Sequence, residues 1–418
     1  MIFQKIGAGL LGLAMAGALA LPAVAQEPVR VGLIEPFSGP VAQIGIEVYE
    51  SAQFMADRIN AAGGVLAGRP LVIVRFDNAM NAEKTTQQVK KAIDEGIRFI
   101  SQGVGSNHAL NIIKQLNKHN KRNPEKSVLY LNHSAVTTAF TNELCSFWHF
   151  RFDANVDMKV AGLATQMGRD PDVKRIYMIN QNYAYGKSFQ AIARIMIAQR
   201  TNAELVGDDL IVPFGKVLDF TPYVAKIKSA DADTVLTGNW GADMVRLVKA
   251  TADAGLDVQF YSIYGGLPVS INGYGIEAGM AVRMKQITEM HLNDYQQDEL
   301  TPIMAAYLAK YGRTWYGDRQ RFIWEMFAKA LNKAGSDDPV AVAYALEGMT
   351  HPGPNGEIWM RAEDHQIHFP LVVSTLDDQA PRKIVYEKQN LGVGWKTDGW
   401  VSREDLTLPT TCDMKRPT

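Results

Sequence analysis

Cysteine is nearly absent, with only Cys145 and Cys412 in a chain of 418 residues. So few thiols, with no C-x-x-C spacing, exclude a zinc ribbon or a thioredoxin-like redox motif. An excess of either charge is also lacking. Lysine and arginine total 43 against 44 acidic residues, and no basic patch with interleaved aromatics stands out, which excludes nucleic acid as an expected partner. Past the N-terminus, no apolar run reaches the roughly 18 residues of a membrane-spanning helix. Catalytic signatures are missing too: there is no G-x-S-x-G elbow, no phosphate-binding P-loop and no H-E-x-x-H. His365 and His368 lie beside Asp364, but their alternation with Gln366 and Ile367 reads as a strand and not as a metal-binding face. No metal, cofactor or enzyme chemistry is expected.

What is present begins with the N-terminus. Lys5 precedes an apolar run from Ile6 to Leu21, and Ala23-Val24-Ala25 precedes Gln26. A basic start, a short greasy middle and an A-x-A end read as a secretory signal peptide over residues 1–25, with a short uncleaved anchor as the alternative. Gly7 to Gly12 matches the dinucleotide fingerprint G-x-G-x-x-G, but it lies inside the segment to be removed. The remaining chain exceeds the roughly 250–300 residues that one core supports, so two domains are expected. In an oxidising compartment the two cysteines pair most simply as a disulfide, Cys145 with Cys412, two buried thiols being the alternative.

Along the mature chain, short apolar strands alternate with helical periods. Val29–Ile34, Leu71–Phe76 and Ile97–Ile100 read as strands, separated by helical patterns through Val48, Ala52, Met55 and Ile59, and through Ala82, Thr86, Val89 and Ile93. A second series starts at Arg175–Ile179 and runs through strands at Leu205–Val212, Thr234–Gly238 and Gln259–Ile263. Two such series predict an α/β protein with two parallel, helix-covered sheets, because parallel strands need crossover helices. Ligands gather at the carboxyl ends of strands in such sheets.

Against this framework, Phe37-Ser38-Gly39-Pro40, Asp57-Arg58-Ile59-Asn60-Ala61-Ala62-Gly63-Gly64, Asp94-Glu95-Gly96-Ile97, Gly103–Asn107, Ser134–Thr138, Tyr183–Ser188 and Arg361–Gln366 resemble the branched-chain amino acid (Leu/Ile/Val) solute-binding proteins of ABC transporters. The resemblance covers nearly the whole mature chain. It implies the type I periplasmic binding protein fold: two Rossmann-like, doubly wound lobes joined by three crossings, here near His149–Asp157, Ala281–Ile287 and Ile358–Pro370. The implied division is an N-terminal lobe of residues 26–149 with about 285–358, a C-terminal lobe of 150–284 with about 359–400, and a disulfide-anchored tail, 401–418. It also implies a periplasmic monomer, without cofactors, that closes on a small carboxylate ligand and delivers it to an ABC permease in the inner membrane. A sensor that reports amides or amino acids to a receptor is the alternative function.

The resemblance places the family's carboxylate contacts at Ser106 with Asn107, and at Thr138 with the backbone of Val136. A hydroxyl and free N–H groups at the start of a helix suit a carboxylate. It places two aromatic contacts of the second lobe at Tyr185 and Trp240. The departure is at Tyr264, which stands where the family carries the glutamate that pairs with the ligand's α-ammonium. A buried ammonium without its carboxylate loses about 3–5 kcal/mol, or two to four decades of affinity. Asp243 is a possible substitute charge, although an acidic residue opening a helix has a structural reason of its own. The expected ligand is an organic or aromatic acid in preference to a standard amino acid.

Overall fold

The computed structural model of the chain describes residues 1–2, 27–213, 215–294, 300–315 and 317–417. Apart from its first two residues, the expected signal peptide lies outside the described residues. Strands Val29–Glu35, Leu71–Asp77, Phe99–Gln102, Leu129–Asn132 and His149–Arg151 form a five-stranded sheet in the order second, first, third, fourth, fifth, parallel throughout. Phe99–Gln102 and Leu129–Asn132 are buried at every position, as strands covered on both faces must be. Helices Ala42–Ala61, Ala82–Asp94 and Ser106–Arg122 are the crossovers. The second of these starts where the Asn81 side chain accepts from the Lys84 N–H, satisfying one of the orphan donors of a helix start. Later helices return to the same body: Tyr307 of Leu300–Tyr311 packs edge-on against Phe54, and Phe327 of Arg319–Ala334 against Phe99.

The second sheet has seven strands, in the order Gly394–Val401, Leu371–Asp377, Lys285–Thr288, Gln259–Ser262, Thr234–Thr237, Arg175–Gln181, Glu204–Ile211. Five are parallel, as the β-α alternation predicts. The other two are not: Leu371–Asp377 runs antiparallel to Lys285–Thr288, and Gly394–Val401 antiparallel to Leu371–Asp377. An antiparallel strand needs no crossover helix, so this edge leaves no β-α pattern in the sequence.

One crossing is displaced from its expected place. Lys285–Thr288 pairs with Gln259–Ser262 and is a strand of the second sheet, so the chain leaves that sheet after Thr288 and not over Ala281–Ile287. The return comes at Leu371, because Gly356–Met360 and Ile367–His368 belong to a separate three-stranded sheet with Thr350–Gly353. Helix Val156–Arg169 follows the first crossing, and nearly every residue from Val156 to Ala164 is buried, Lys159 included.

Where the chain crosses between the sheets, four charges are buried together. Lys159 Nζ lies 2.8 Å from Asp153, while Arg319 lies 2.9 Å from Glu289 and 3.6 Å from Asp153. Burial alone would raise the Glu289 carboxyl, but Arg319 and Lys159 outweigh it and hold the group below its ordinary range. Arg151 ties the first and third crossings, donating through Nε to Gln366 Oε1 at 2.6 Å.

Candidate functional site

Strand order decides where a cleft opens. In the first sheet Val29–Glu35 lies between Leu71–Asp77 and Phe99–Gln102, and in the second Arg175–Gln181 lies between Glu204–Ile211 and Thr234–Thr237. At such a switch point the connections leave in opposite directions and expose the strand ends. The loops after Gln102, Gln181, Thr237 and Ser262 supply Gly103–Ser106, Tyr183 and Tyr185, Trp240 and Tyr264, and all of these line one cleft.

The first wall is the start of helix Ser106–Arg122. Its N-cap is Gly105 at φ 92°, where a Cβ would also come within 2.8 Å of His108; glycine alone accepts that backbone without strain. The turn before it is held from behind by Glu35, whose Oε1 accepts from the Gly103 N–H at 2.7 Å and lies 2.7 Å from His133 Nε2. His133 Nδ1 lies in turn 3.2 Å from Gln320 Nε2. With Gly103 occupied by Glu35, the first N–H groups of the helix and the buried Ser106 side chain are left to face the cleft. Val136 and Ser134 complete this wall.

The opposite wall is aromatic. Trp240 Nε1 donates to the Tyr183 hydroxyl at 2.8 Å, and Tyr185 packs 5.7 Å from Tyr183 and 5.9 Å from Tyr264, centroid to centroid. Burial pushes the Tyr183 phenol well above its ordinary pKa, so it stays neutral. Tyr264 spans the cleft, its hydroxyl donating to the Ser134 carbonyl at 3.4 Å, with Lys159 Nζ 5.1 Å from its ring centre.

Of the residues expected at the site, Ser106, Val136, Tyr185, Trp240 and Tyr264 come together around the cleft. Asn107 and Thr138 do not line it. Asn107 is the second residue of the helix and points to solvent. The Thr138 hydroxyl bonds the Asp157 carboxylate and lies 3.0 Å from Ser188 Oγ, a contact between the two lobes beside the cleft. Asp243 is buried beneath the aromatic wall, accepting from Gln181 Nε2 and the Gly215 N–H at 2.9 Å each, and so does not supply the missing charge. Tyr183 was not anticipated, although it follows a strand directly. Glu47, Ser51, Tyr307, Arg313, Arg319 and Gln320 also line the cleft, and no local motif marks them.

The family model for periplasmic binding proteins matches residues 28–381. A Leu/Ile/Val-binding protein homolog 4 of Brucella abortus is 31% identical over 427 aligned positions, covering 100% of this chain and 99% of its own length. The chain belongs to the Leu/Ile/Val-type solute-binding proteins of ABC transporters. The closed leucine-, isoleucine-, valine-, threonine- and alanine-binding protein of Brucella ovis superposes with a TM-score of 0.84 at 30% identity, covering 94% of this chain and all of that one. A solute-binding protein of Rhodopseudomonas palustris in complex with 3,4-dihydroxybenzoic acid superposes at 0.75 and 17% identity, covering 90% and 98%; at that identity the likeness is one of fold. The family is one of periplasmic binding proteins and not of enzymes, so the cleft has to bind and release a small solute without transforming it. Both cysteines form the disulfide Cys145–Cys412.

Proposed function

We propose that this Leu/Ile/Val-type binding protein is exported to the periplasm by residues 1–25 and, as a monomer, captures a small organic acid with an aromatic or otherwise uncharged body for an ABC permease. The observation that carries the reading is Tyr264, a neutral phenol where the family places the carboxylate for an α-ammonium. Among the described residues lining the cleft the one carboxylate is Glu47, and it is already paired with Arg313 at 3.3 Å. The helix start with Ser106 suits the acid group, and Tyr183, Tyr185, Trp240 and Tyr264 offer flat apolar surface for its body. Because both walls come from a single chain, one protomer holds a complete cleft. The R. palustris protein that holds dihydroxybenzoate has the same fold, while the B. ovis protein of the amino-acid type has the higher identity.

Calorimetric titration of the purified protein with benzoate-class acids and with leucine tests the reading. Binding of the acids with at least tenfold preference over leucine is expected; tight leucine binding with no response to the acids would refute it. Ser106→Ala should weaken every carboxylate ligand about tenfold or more, the worth of one hydrogen bond to a charged group. Tyr264→Glu should move the preference toward α-amino acids, and an unchanged ligand order in that variant counts against Tyr264 as a selector.

A further inference from the structure

A third wall of the cleft is charged, and the carboxylate and aromatic walls leave it without a role. Helix Ala42–Ala61 turns Ile44, Glu47, Val48 and Ser51 into the cleft at helical spacing, and Arg313 and Thr314 meet them from the segment after helix Leu300–Tyr311. Arg313 Nη1 stands 3.3 Å from both Glu47 Oε1 and Glu50 Oε2, yet neither Nη1 nor the equally buried Nε makes a hydrogen bond of good geometry among the described residues. Glu47 also accepts from Gln43 Nε2 at 3.3 Å.

The second lobe holds this wall in place. Strand Val385–Tyr386 reaches across so that the Thr314 N–H donates to the Val385 carbonyl and the Val385 N–H donates to the Thr314 hydroxyl, both at 2.8 Å. The Lys388 N–H donates to the Gly312 carbonyl at 2.6 Å, and Tyr386 lies under the Arg313 guanidinium, 5.6 Å from its ring centre. The charged wall is therefore assembled by both lobes together, as the cleft itself is.

We infer that the Glu47–Arg313 pair is a specificity element that recognises a neutral hydroxyl, or a group of equal donor and acceptor capacity, on the body of the bound acid. The pair offers one acceptor and one donor side by side. A hydroxyl satisfies both, because it donates to the carboxylate and accepts from the guanidinium. A second carboxylate on the ligand meets Glu47 and Glu50 as like charges, and a bare apolar edge gives the Arg313 Nη1 and Nε no acceptor of good geometry. Burial pushes Glu47 up to about 6 against the opposing pull of Arg313, which is the cost of holding a carboxylate here.

The inference rests on the organic-acid reading above, and the experiment separates the two. Benzoate, 4-hydroxybenzoate and terephthalate are titrated calorimetrically into the full-length protein and into Glu47→Gln and Arg313→Gln, with thermal melts to check that each variant is folded. In the unaltered protein, 4-hydroxybenzoate should bind about tenfold or more tighter than benzoate, as expected for hydrogen bonds to charged groups, with terephthalate the weakest. In either folded variant the hydroxybenzoate-to-benzoate ratio should fall below about threefold. Equal ratios in all three proteins, or terephthalate as the tightest ligand, overturn the inference while the acid reading stands. No binding of any of the three acids removes both.

Discussion

Arg319→Met should destabilise the protein by about 3–5 kcal/mol, the typical loss when one partner of a buried ion pair is removed and the other charge stays behind. Asp153, Lys159, Glu289 and Arg319 are all buried where the chain passes between the sheets, and two carboxylates there face two cations. Taking out one cation leaves an uncompensated anion among buried groups. Urea denaturation monitored by tryptophan fluorescence measures the loss. Removing Glu289 as well, in Arg319→Met with Glu289→Met, should recover a large part of it, because the quartet then returns to charge balance. If the double variant is as unstable as the sum of the singles, the charges are not coupled. The pH dependence follows from the same geometry. Because the folded protein holds Glu289 below its ordinary value of 4.5, its contribution is present above that pH and is lost as pH falls through the lower folded value. The single variants should therefore show a flatter acid limb than the unaltered protein.

Breaking the Cys145–Cys412 bond should cost up to about 6 kcal/mol in the chain-entropy model, an upper bound because residual structure in the unfolded chain reduces it. The bond closes a loop of 267 positions and does more than pin an end. After edge strand Gly394–Val401 and helix Arg403–Leu406, the tail leaves the second sheet and runs back over the first lobe. There the Thr410 hydroxyl donates to the Thr141 carbonyl and the Thr411 N–H to Asn142 Oδ1, both at 2.8 Å. Further along, Arg416 pairs with Glu347 and donates to the Ala362 carbonyl at 2.8 Å. The tail is thus a fourth link between the lobes, and the only covalent cross-link among the described residues. Scanning calorimetry of Cys145→Ser/Cys412→Ser should give a midpoint lower by up to about 7 °C. An unchanged midpoint would show that the hydrogen bonds of the tail suffice without the sulfur bridge.

Much of the site is legible before folding because it sits at strand ends. Ser106, Val136, Tyr185, Trp240 and Tyr264 each follow a short apolar run that the alternation marks as a strand, and loops at those ends meet at the switch points of the two sheets. Tyr183 had the same signal and stood two positions before a residue already singled out. Thr138 shows the limit of that logic. It lies in the right loop, but a 3-10 turn over Thr138–Thr141 directs its hydroxyl to Asp157 and Ser188. Glu47 carries no mark at all, since the apolar period of its helix runs through Val48, Ala52, Met55 and Ile59, and of these only Val48 also meets the cleft. Arg313 is separated from it by most of the chain.

The sequence by itself determined the class of molecule: two β-α series, a cysteine pair, an absence of catalytic motifs, and segments that resemble the Leu/Ile/Val-binding family. Those features are local, and periodicity, spacing and residue chemistry encode them wherever the segments finally lie. Only the tertiary structure decided which side chains share the cleft, that the second sheet ends in antiparallel strands, that four charges meet at the crossings and that the tail returns to the first lobe. Those are contacts between segments far apart in the chain, set by how buried faces pack and how charges balance once water is excluded, and no local pattern records them.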